Sequence, residues 1–478
     1  MSQDMDADVV IVGGGLAGLA AAITAAAGGA RVSVLEQGSE PRYLCNSRVT
    51  MGVFQIALND MESGPAALVA AIEQATRGHV DAALAERYAG EAANSIRWLR
   101  TQSIRLIRGG AAAANLGVLS STVPRRPGLH WEGRAGDVML RQLTANLEQH
   151  GGVVHRGVRA RDLVMDNGHC VGLVATRGDE TLRWRGGAVI IADGGFQANP
   201  DLVRQHISKS PEKLLQRNAG TARGDGLQMA QAIGAGVTDL QNFYGHVQSR
   251  DAMHNATLWP YPTMDFPVAA GIAVDERAER FTDEGLAGVA IANAIARLDN
   301  PLGASAIFDQ AIWEASGKTY VMSANPFLIE AGGTLLRADT IAELADHAGL
   351  PRDGLARTVA DYNNAVEAND FSKLKPPRSL DHPHPWGSRP MPIRQPPFVA
   401  VPLCAGLTYT MGGLTIDPQA RVLHTEGHPI TGLFAAGGSI GGLEGGPYVG
   451  YTGGLAKALV FGRIAGASAL ALCKPNSH

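Results

Sequence analysis

Three glycines offer the first recognisable chemistry in this chain. Gly13, Gly15 and Gly18 follow the apolar run at 9–12 in the spacing GxGxxG, and an alanine-rich stretch follows them. In this spacing Gly13 permits a tight turn, Gly15 lets backbone approach a pyrophosphate, and Gly18 lets helix and strand pack closely. A helix starting here presents N–H groups and a partial positive charge to phosphates. Glu36 ends a second apolar run eighteen residues beyond Gly18. A carboxylate there accepts from a ribose hydroxyl and repels a 2′-phosphate. Strand, glycines, helix, second strand and acid arrive in register, and together they predict a dinucleotide site.

Later segments choose between NAD and FAD. Small polar residues at 45–52, among them Asn46, Ser47, Thr50 and Gly52, suit a stretch that runs along a flavin. A second buried run, 188–192, ends in Gly194, Gly195 and Phe196. A third, 430–436, ends in Gly437 and Gly438, and the stretch from Gly453 to Leu472 reads as a helix. The N-terminus of that helix suits the flavin edge where negative charge builds on reduction. Three such segments in this order favour FAD.

A second cluster of reactive types lies mid-chain, at Tyr244, His246, Arg250 and His254. Arginine holds a carboxylate bidentately, and histidine exchanges protons near neutral pH. A solvated polar loop is the alternative reading. Tyr261, between Pro260 and Pro262, either lines a pocket or braces a turn.

The chain that must position these groups has 478 residues, too many for one simple core. Net charge is −4 with no basic stripe, which argues against nucleic acid. The four cysteines are far apart and form no CxxC, so a reducing, cytoplasmic setting is expected. No signal sequence or membrane-spanning helix is expected. His150, His155, His382 and His384 show no metal-ligand spacing, and no metal is expected.

Nearly end to end, the chain resembles the fumarate reductase/succinate dehydrogenase flavoprotein superfamily. The resemblance rests on GGGLAGLAAA, CNSRVTMG, AVIIADGGF, GTARGDGLQMAQAIGAG, ERFTDEG, LARTVADYNNAV, TMGGLTID, GLFAAGG and FGRIAG. The segments 243–255 and 258–262 look like tricarballylate dehydrogenase, and 447–462 looks like the 3-ketosteroid dehydrogenases.

The resemblance implies FAD contacts at Gly13, Gly15, Leu16, Ala17, Gly18, Glu36 and Gln37, then at Asn46, Ser47, Arg48, Thr50 and Gly52. It adds Val158, Ala192, Gly194, Gly195, Arg223 and Asp225, and finally Gly437, Gly438, Gly453, Gly454 and Leu455. The superfamily's covalent flavin histidine falls near Arg48, which implies non-covalent FAD. Its usual ribitol-contacting glutamate is Gly438 here. Three dicarboxylate-handling residues of fumarate reductases become Gly288, Tyr409 and Val449, which argues against a true fumarate reductase. Tyr448 occupies the ketosteroid tyrosine position as proton-transfer or enolate-stabilising residue, with Tyr451 as its alternative. Tyr409 is expected to face the pocket. Arg280 and Glu284 are expected to be a structural pair.

The implied architecture is α/β: a Rossmann-like FAD-binding domain split between 1–236 and 388–478, with an inserted α+β capping domain at 237–387. A helix at 355–366 and a proline-rich linker at 373–397 fit this division. The implied activity is hydride transfer between flavin and a carbon beside an activating carbonyl. The substrate is a carboxylate or a cyclic ketone, with an unidentified electron donor or acceptor. A partner-dependent electron-transfer subunit, an amino-acid oxidase and a non-catalytic flavin scaffold are the competing readings.

Overall fold

The computed structural model describes residues 3–110, 117–320, 322–380 and 387–473, so His382 and His384 lie outside the described residues. Val9–Val12 is fully buried because it sits inside a six-stranded sheet. It pairs in parallel with Val32–Glu36 on one side and Ala188–Ile191 on the other. Val153–Arg156 and Pro429–Ala435 extend the sheet in parallel, and Arg421–Leu423 closes one edge antiparallel. Parallel strands covered on both faces are apolar throughout, which is why these runs were legible. Strands from both ends of the chain therefore share one sheet.

Helices Leu16–Ala27 and Gly454–Cys473 pack against each other beside this sheet. Their approach is close because the second helix carries glycine at the crossing. A Cβ at Gly462 would lie 2.5 Å from the Ala17 carbonyl oxygen, and one at Gly466 would lie 2.3 Å from that of Ala21. By length and composition Gly454–Cys473 could cross a bilayer, but 61% of its apolar window is buried inside the protein. Helix packing uses most of the apolar surface that gives it this character.

A second sheet forms around the thirteen-residue strand Phe398–Thr410. Phe243–Ser249, Ser305–Asp309 and Leu336–Ala338 pair with it antiparallel, and Leu215–Gln216 pairs in parallel. Ile272–Val274 extends the sheet beyond Ser305–Asp309. Helices Asp265–Ala270, Ala287–Arg297 and Ile341–Ala348 pack on it, and Arg352–Ala368 packs on Ile341–Ala348. This is the α+β cap, and its sheet crosses both expected boundaries. Residues 398–410 and 215–216 fall by sequence in the flavin-domain segments, yet they pair inside the cap sheet. A doubly buried apolar strand reads alike in either sheet, and only its hydrogen-bond partners decide.

Inside the cap, Arg280 donates to Glu284 through Nε at 3.0 Å and through Nη2, and Arg378 lies 3.9 Å from the same carboxylate. Glu284 also accepts from the Ala273 N–H at 3.1 Å. All three ionic side chains are buried, so Arg280 and Glu284 tie together the base of Ala287–Arg297 and the strand Ile272–Val274.

Candidate active site

A cleft of about 460 Å³ runs from the turn at Gly13–Gly15 to a group of tyrosines on the cap sheet. Much of its wall is backbone, because Gly13, Gly14, Gly15, Gly194, Gly195 and Gly438 all line it. Gly13 has φ +100°, and a Cβ there would lie 2.6 Å from the Ala192 carbonyl oxygen. A Cβ at Gly18 would lie 1.9 Å from the Gly13 carbonyl oxygen, so that glycine serves helix–strand packing.

Of the residues assigned to the cofactor by sequence, all line this cleft except Gly18, Arg48 and Gly453. Arg48 turns inward: it is 1% exposed, Nε donates to the Tyr43 carbonyl at 2.6 Å, and Nη1 meets Asp137 at 2.5 Å. Arg48 therefore anchors the 46–49 turn from behind. Gly453 serves a tight crossing, where a Cβ would lie 2.1 Å from the Gln55 carbonyl oxygen.

Glu36 accepts from the N–H groups of Gly14 at 2.9 Å and Gly38 at 2.8 Å, and burial raises its carboxyl above the ordinary range. Ser47 accepts from the Leu16 N–H at 3.1 Å, taking one helix-terminal donor that the motif alone assigns to phosphate. Asp225 is gripped by Arg159 at 2.6 and 2.7 Å. Asp193, pushed up to about 6 by burial, joins Gly226 N–H and Ser439 Oγ and so ties the two later glycine turns together.

At the cap end, Tyr244 stacks on Tyr451 with ring centroids 4.2 Å apart and lies 5.2 Å from Tyr409. Tyr244 and His246 project from one face of Phe243–Ser249, as alternate residues of a strand do. The Tyr244 hydroxyl and His246 Nε2 are 2.9 Å apart, and His246 Nδ1 meets Asp265 Oδ2 at 2.5 Å. The other Asp265 oxygen accepts from the Val247 N–H at 2.9 Å. Burial lowers the His246 imidazole below its ordinary value, against the opposing pull of Asp265. Burial also raises the Tyr244, Tyr409 and Tyr451 phenols, which stay protonated.

The Tyr409 hydroxyl donates to Glu444, whose carboxylate also accepts from Thr452 at 3.2 Å and Lys457 Nζ at 3.1 Å. Glu444 and Lys457 are buried, and Lys457 lines the cleft.

The mid-chain cluster divides. Tyr244 lines the cleft with His246 buried behind it, while Arg250 and His254 are exposed on the following turn. Arg250 Nη1 donates to the Leu302 carbonyl at 2.8 Å, and the residue lies outside the cleft wall. Tyr448 also lies outside it, under Arg77 at 4.1 Å from ring centroid to guanidinium carbon. Val449 has φ +53° in the bend between the two tyrosines, and Tyr451 is the one that lines the cleft. Loop curvature separates residues three apart, and no residue count reveals it.

Sequence reasoning missed Arg217, Asp265, Glu444 and Lys457. Arg217 is 6% exposed and lines the cleft. Its Nε donates to the Pro260 carbonyl at 3.0 Å, its Nη1 donates to Thr408 Oγ1 at 2.9 Å, and it sits 5.0 Å from the Tyr261 ring centroid. Gly406 makes room for it, since a Cβ there would lie 3.0 Å from Arg217 Cδ. None of the four falls in a recognisable spacing. Away from the cleft, ligand atoms of His424, Glu426 and His428 come within 4.8 Å of one another, with Glu426 and His428 exposed.

The fold and this cleft define an FAD-dependent oxidoreductase. Glycine-lined backbone at one end, Glu36 at the strand tip and a buried lysine beside a helix N-terminus form a donor set that suits a flavin dinucleotide. The chain belongs to the FAD binding domain family, whose model matches residues 8–450. It is 28% identical over 497 residues to the urocanate reductase of Eggerthella lenta, covering 98% of this chain and 75% of that one. It is 26% identical over 531 residues to the NADH:acrylate oxidoreductase of Vibrio harveyi, covering 97% of this chain and 50% of that one. The chain thus spans half the length of the second relative. The 3-ketosteroid-Δ4-(5α)-dehydrogenase of Rhodococcus jostii RHA1 shares the fold, with TM-score 0.72 and 24% identity over 98% of both chains.

Proposed function

We propose that this protein exchanges a hydride with one carbon of a C–C bond conjugated to a carboxylate, and that Arg217 holds that carboxylate. FAD, when bound, supplies the hydride acceptor or donor, held by the glycine turns, Glu36, the 46–52 segment and the Gly454 helix end. The observation that carries the substrate class is Arg217 itself. A guanidinium keeps its charge, and buried charges are normally paired. Arg217 lines the cleft with no carboxylate within ion-pair distance among the described residues, so the bound substrate is the natural source of one. The urocanate and acrylate enzymes among its relatives are named for unsaturated carboxylates.

A neutral cyclic enone is the second reading. It is favoured by the tyrosines around the chamber, with Tyr261 and Tyr320 facing each other at 6.0 Å beside the Tyr244–Tyr451 stack. Reduced, FAD-loaded protein mixed anaerobically with cinnamate, cinnamamide and cyclohex-2-enone separates the two. Return of the oxidised flavin colour with cinnamate and not with the neutral compounds supports the carboxylate. Return with the enone alone sinks it.

We infer that FAD is bound non-covalently. No histidine lines the cleft among the described residues, and Cys45, which does, has its thiol pushed up to about 12 by burial. Acid denaturation should leave the flavin in the supernatant, and flavin retained by the precipitated chain would contradict this. The reading extends to a reducing compartment, supported by four cysteines that form no disulfide.

A further inference from the structure

The proposed reaction moves a proton as well as a hydride. We propose that Tyr244 exchanges that proton with the carbon next to the hydride carbon, and that His246 and Asp265 form the relay behind it. This inference rests on the proposed C–C chemistry and adds the proton path.

Three side chains meet the requirements of a relay. Tyr244 lines the cleft, and its hydroxyl reaches His246 Nε2 at 2.9 Å. His246 is not itself in the cleft wall, and its bond to the Tyr244 hydroxyl links it to the cleft. Asp265 fixes the ring by taking Nδ1–H, which leaves Nε2 directed at the phenol. That carboxylate is held rigidly by the Val247 N–H and is 0% exposed, and the imidazole is 2% exposed.

The site is also built around the acid. Asp265 presses on Gly288, where a Cβ would lie 2.2 Å from both Asp265 Cγ and Oδ1. Any side chain at 288 would push the carboxylate off His246. This helix position therefore accepts the helix-weakening residue glycine in order to leave room for the relay acid.

The step balances in both directions. In reduction, hydride arrives at one carbon with its electron pair, and the Tyr244 O–H bond breaks as the neighbouring C–H bond forms. The phenolate oxygen then takes the proton from His246 Nε2, which leaves a neutral imidazole still held by Asp265 at Nδ1. In dehydrogenation the Tyr244 oxygen receives the proton from carbon while its own proton passes to Nε2. Besides Tyr244 and Asp265, the charged or titratable groups among the described residues that face this path include Arg217, Tyr261, Tyr320, Tyr409 and Tyr451. Burial raises the Tyr320, Tyr409 and Tyr451 phenols and lowers the His246 imidazole, and the relay assigns the proton exchange to His246.

The test uses reduced, FAD-loaded protein and whichever of cinnamate, cinnamamide or cyclohex-2-enone restores the oxidised flavin fastest in the wild type. Tyr244→Phe should slow that return by about 10²- to 10⁴-fold with unchanged flavin content. In the wild type the rate should rise toward acid pH, as His246 takes up the proton that it passes on. His246→Gln should remove this limb. Gly288→Ala should remove it too, although alanine is the better helix former. Wild-type rates in Tyr244→Phe overturn the proposal. So does a pH limb that survives in His246→Gln with the rate lowered equally throughout, because that marks a packing role. If no compound restores the colour, the C–C reading itself fails, and the relay fails with it.

Discussion

Arg217→Met should lose carboxylate binding while keeping its flavin and its affinity for neutral analogues. The guanidinium uses Nε and Nη1 on Pro260 and Thr408, and the residue lines the cleft. Methionine keeps much of the side-chain volume against Gly406 and the Tyr261 ring but removes the charge. Truncating one partner of a buried charge pair costs about 2–5 kcal/mol, so the Kd for cinnamate should rise by about thirtyfold to several thousandfold. The measurement is the shift of the flavin absorption band on titration with cinnamate and, separately, with cinnamamide. Equal loss for both ligands would mean that Arg217 only braces the 260–261 turn. Loss of flavin with unchanged ligand preference would assign the guanidinium to the cofactor. Arg217→Lys should recover part of the affinity, since it restores a charge without the planar fork.

Glu444→Ala should be the most destabilising single change near the site. Glu444 is the shared acceptor for Lys457, Tyr409 and Thr452, and Lys457 is only 1% exposed. Removing one member of a buried pair leaves an uncompensated charge and costs about 3–5 kcal/mol. Urea unfolding of the flavin-free protein measures it. A double variant, Glu444→Leu with Lys457→Met, should recover most of the loss, because apolar groups of similar size replace buried ion pairs at little cost. If Glu444→Ala unfolds at the wild-type midpoint, the Lys457–Glu444 pair is not the anchor of the late glycine loop. The same change should also release the Tyr409 ring, which packs so close to Gly454 that a Cβ there would lie 3.0 Å from it.

The dinucleotide half was legible because its physics is local. A turn that needs positive φ at Gly13, a helix packed on it through Gly18 and an acid at the end of the next strand all lie within about one βαβ unit. The later turns at 194–195 and 437–438 were legible for the same reason, each being a buried strand that ends in glycine. The cap boundaries were not, because strand 398–410 has one composition and two candidate sheets.

The catalytic end shows the difference most clearly. Tyr244, His246, Arg250 and His254 read from sequence as one polar cluster, and the strand Phe243–Ser249 puts only Tyr244 and His246 on one face. Arg250 lies past the end of that strand, on a turn that leads away from the cleft. Arg217 instead reaches the cleft, approaching from another segment through the gap left by Gly406. Tyr448 and Tyr451 are three residues apart, and the bend at Val449 sends one to Arg77 and the other onto Tyr244. Asp265 joins His246 only because Asp265–Ala270 packs against the strand.

By itself, then, the sequence determined the cofactor class, the two-part α/β plan and the tyrosine-rich character of the reacting end. Those follow from backbone conformation and from hydrophobic periodicity, which are properties of short windows. Tertiary structure alone decided that Arg217 and not Arg250 reaches the cleft, that Tyr451 and not Tyr448 lines it, and that Asp265 stands behind His246. Those depend on how segments far apart in the chain cross, and such crossings are set by packing between whole elements that no local spacing records.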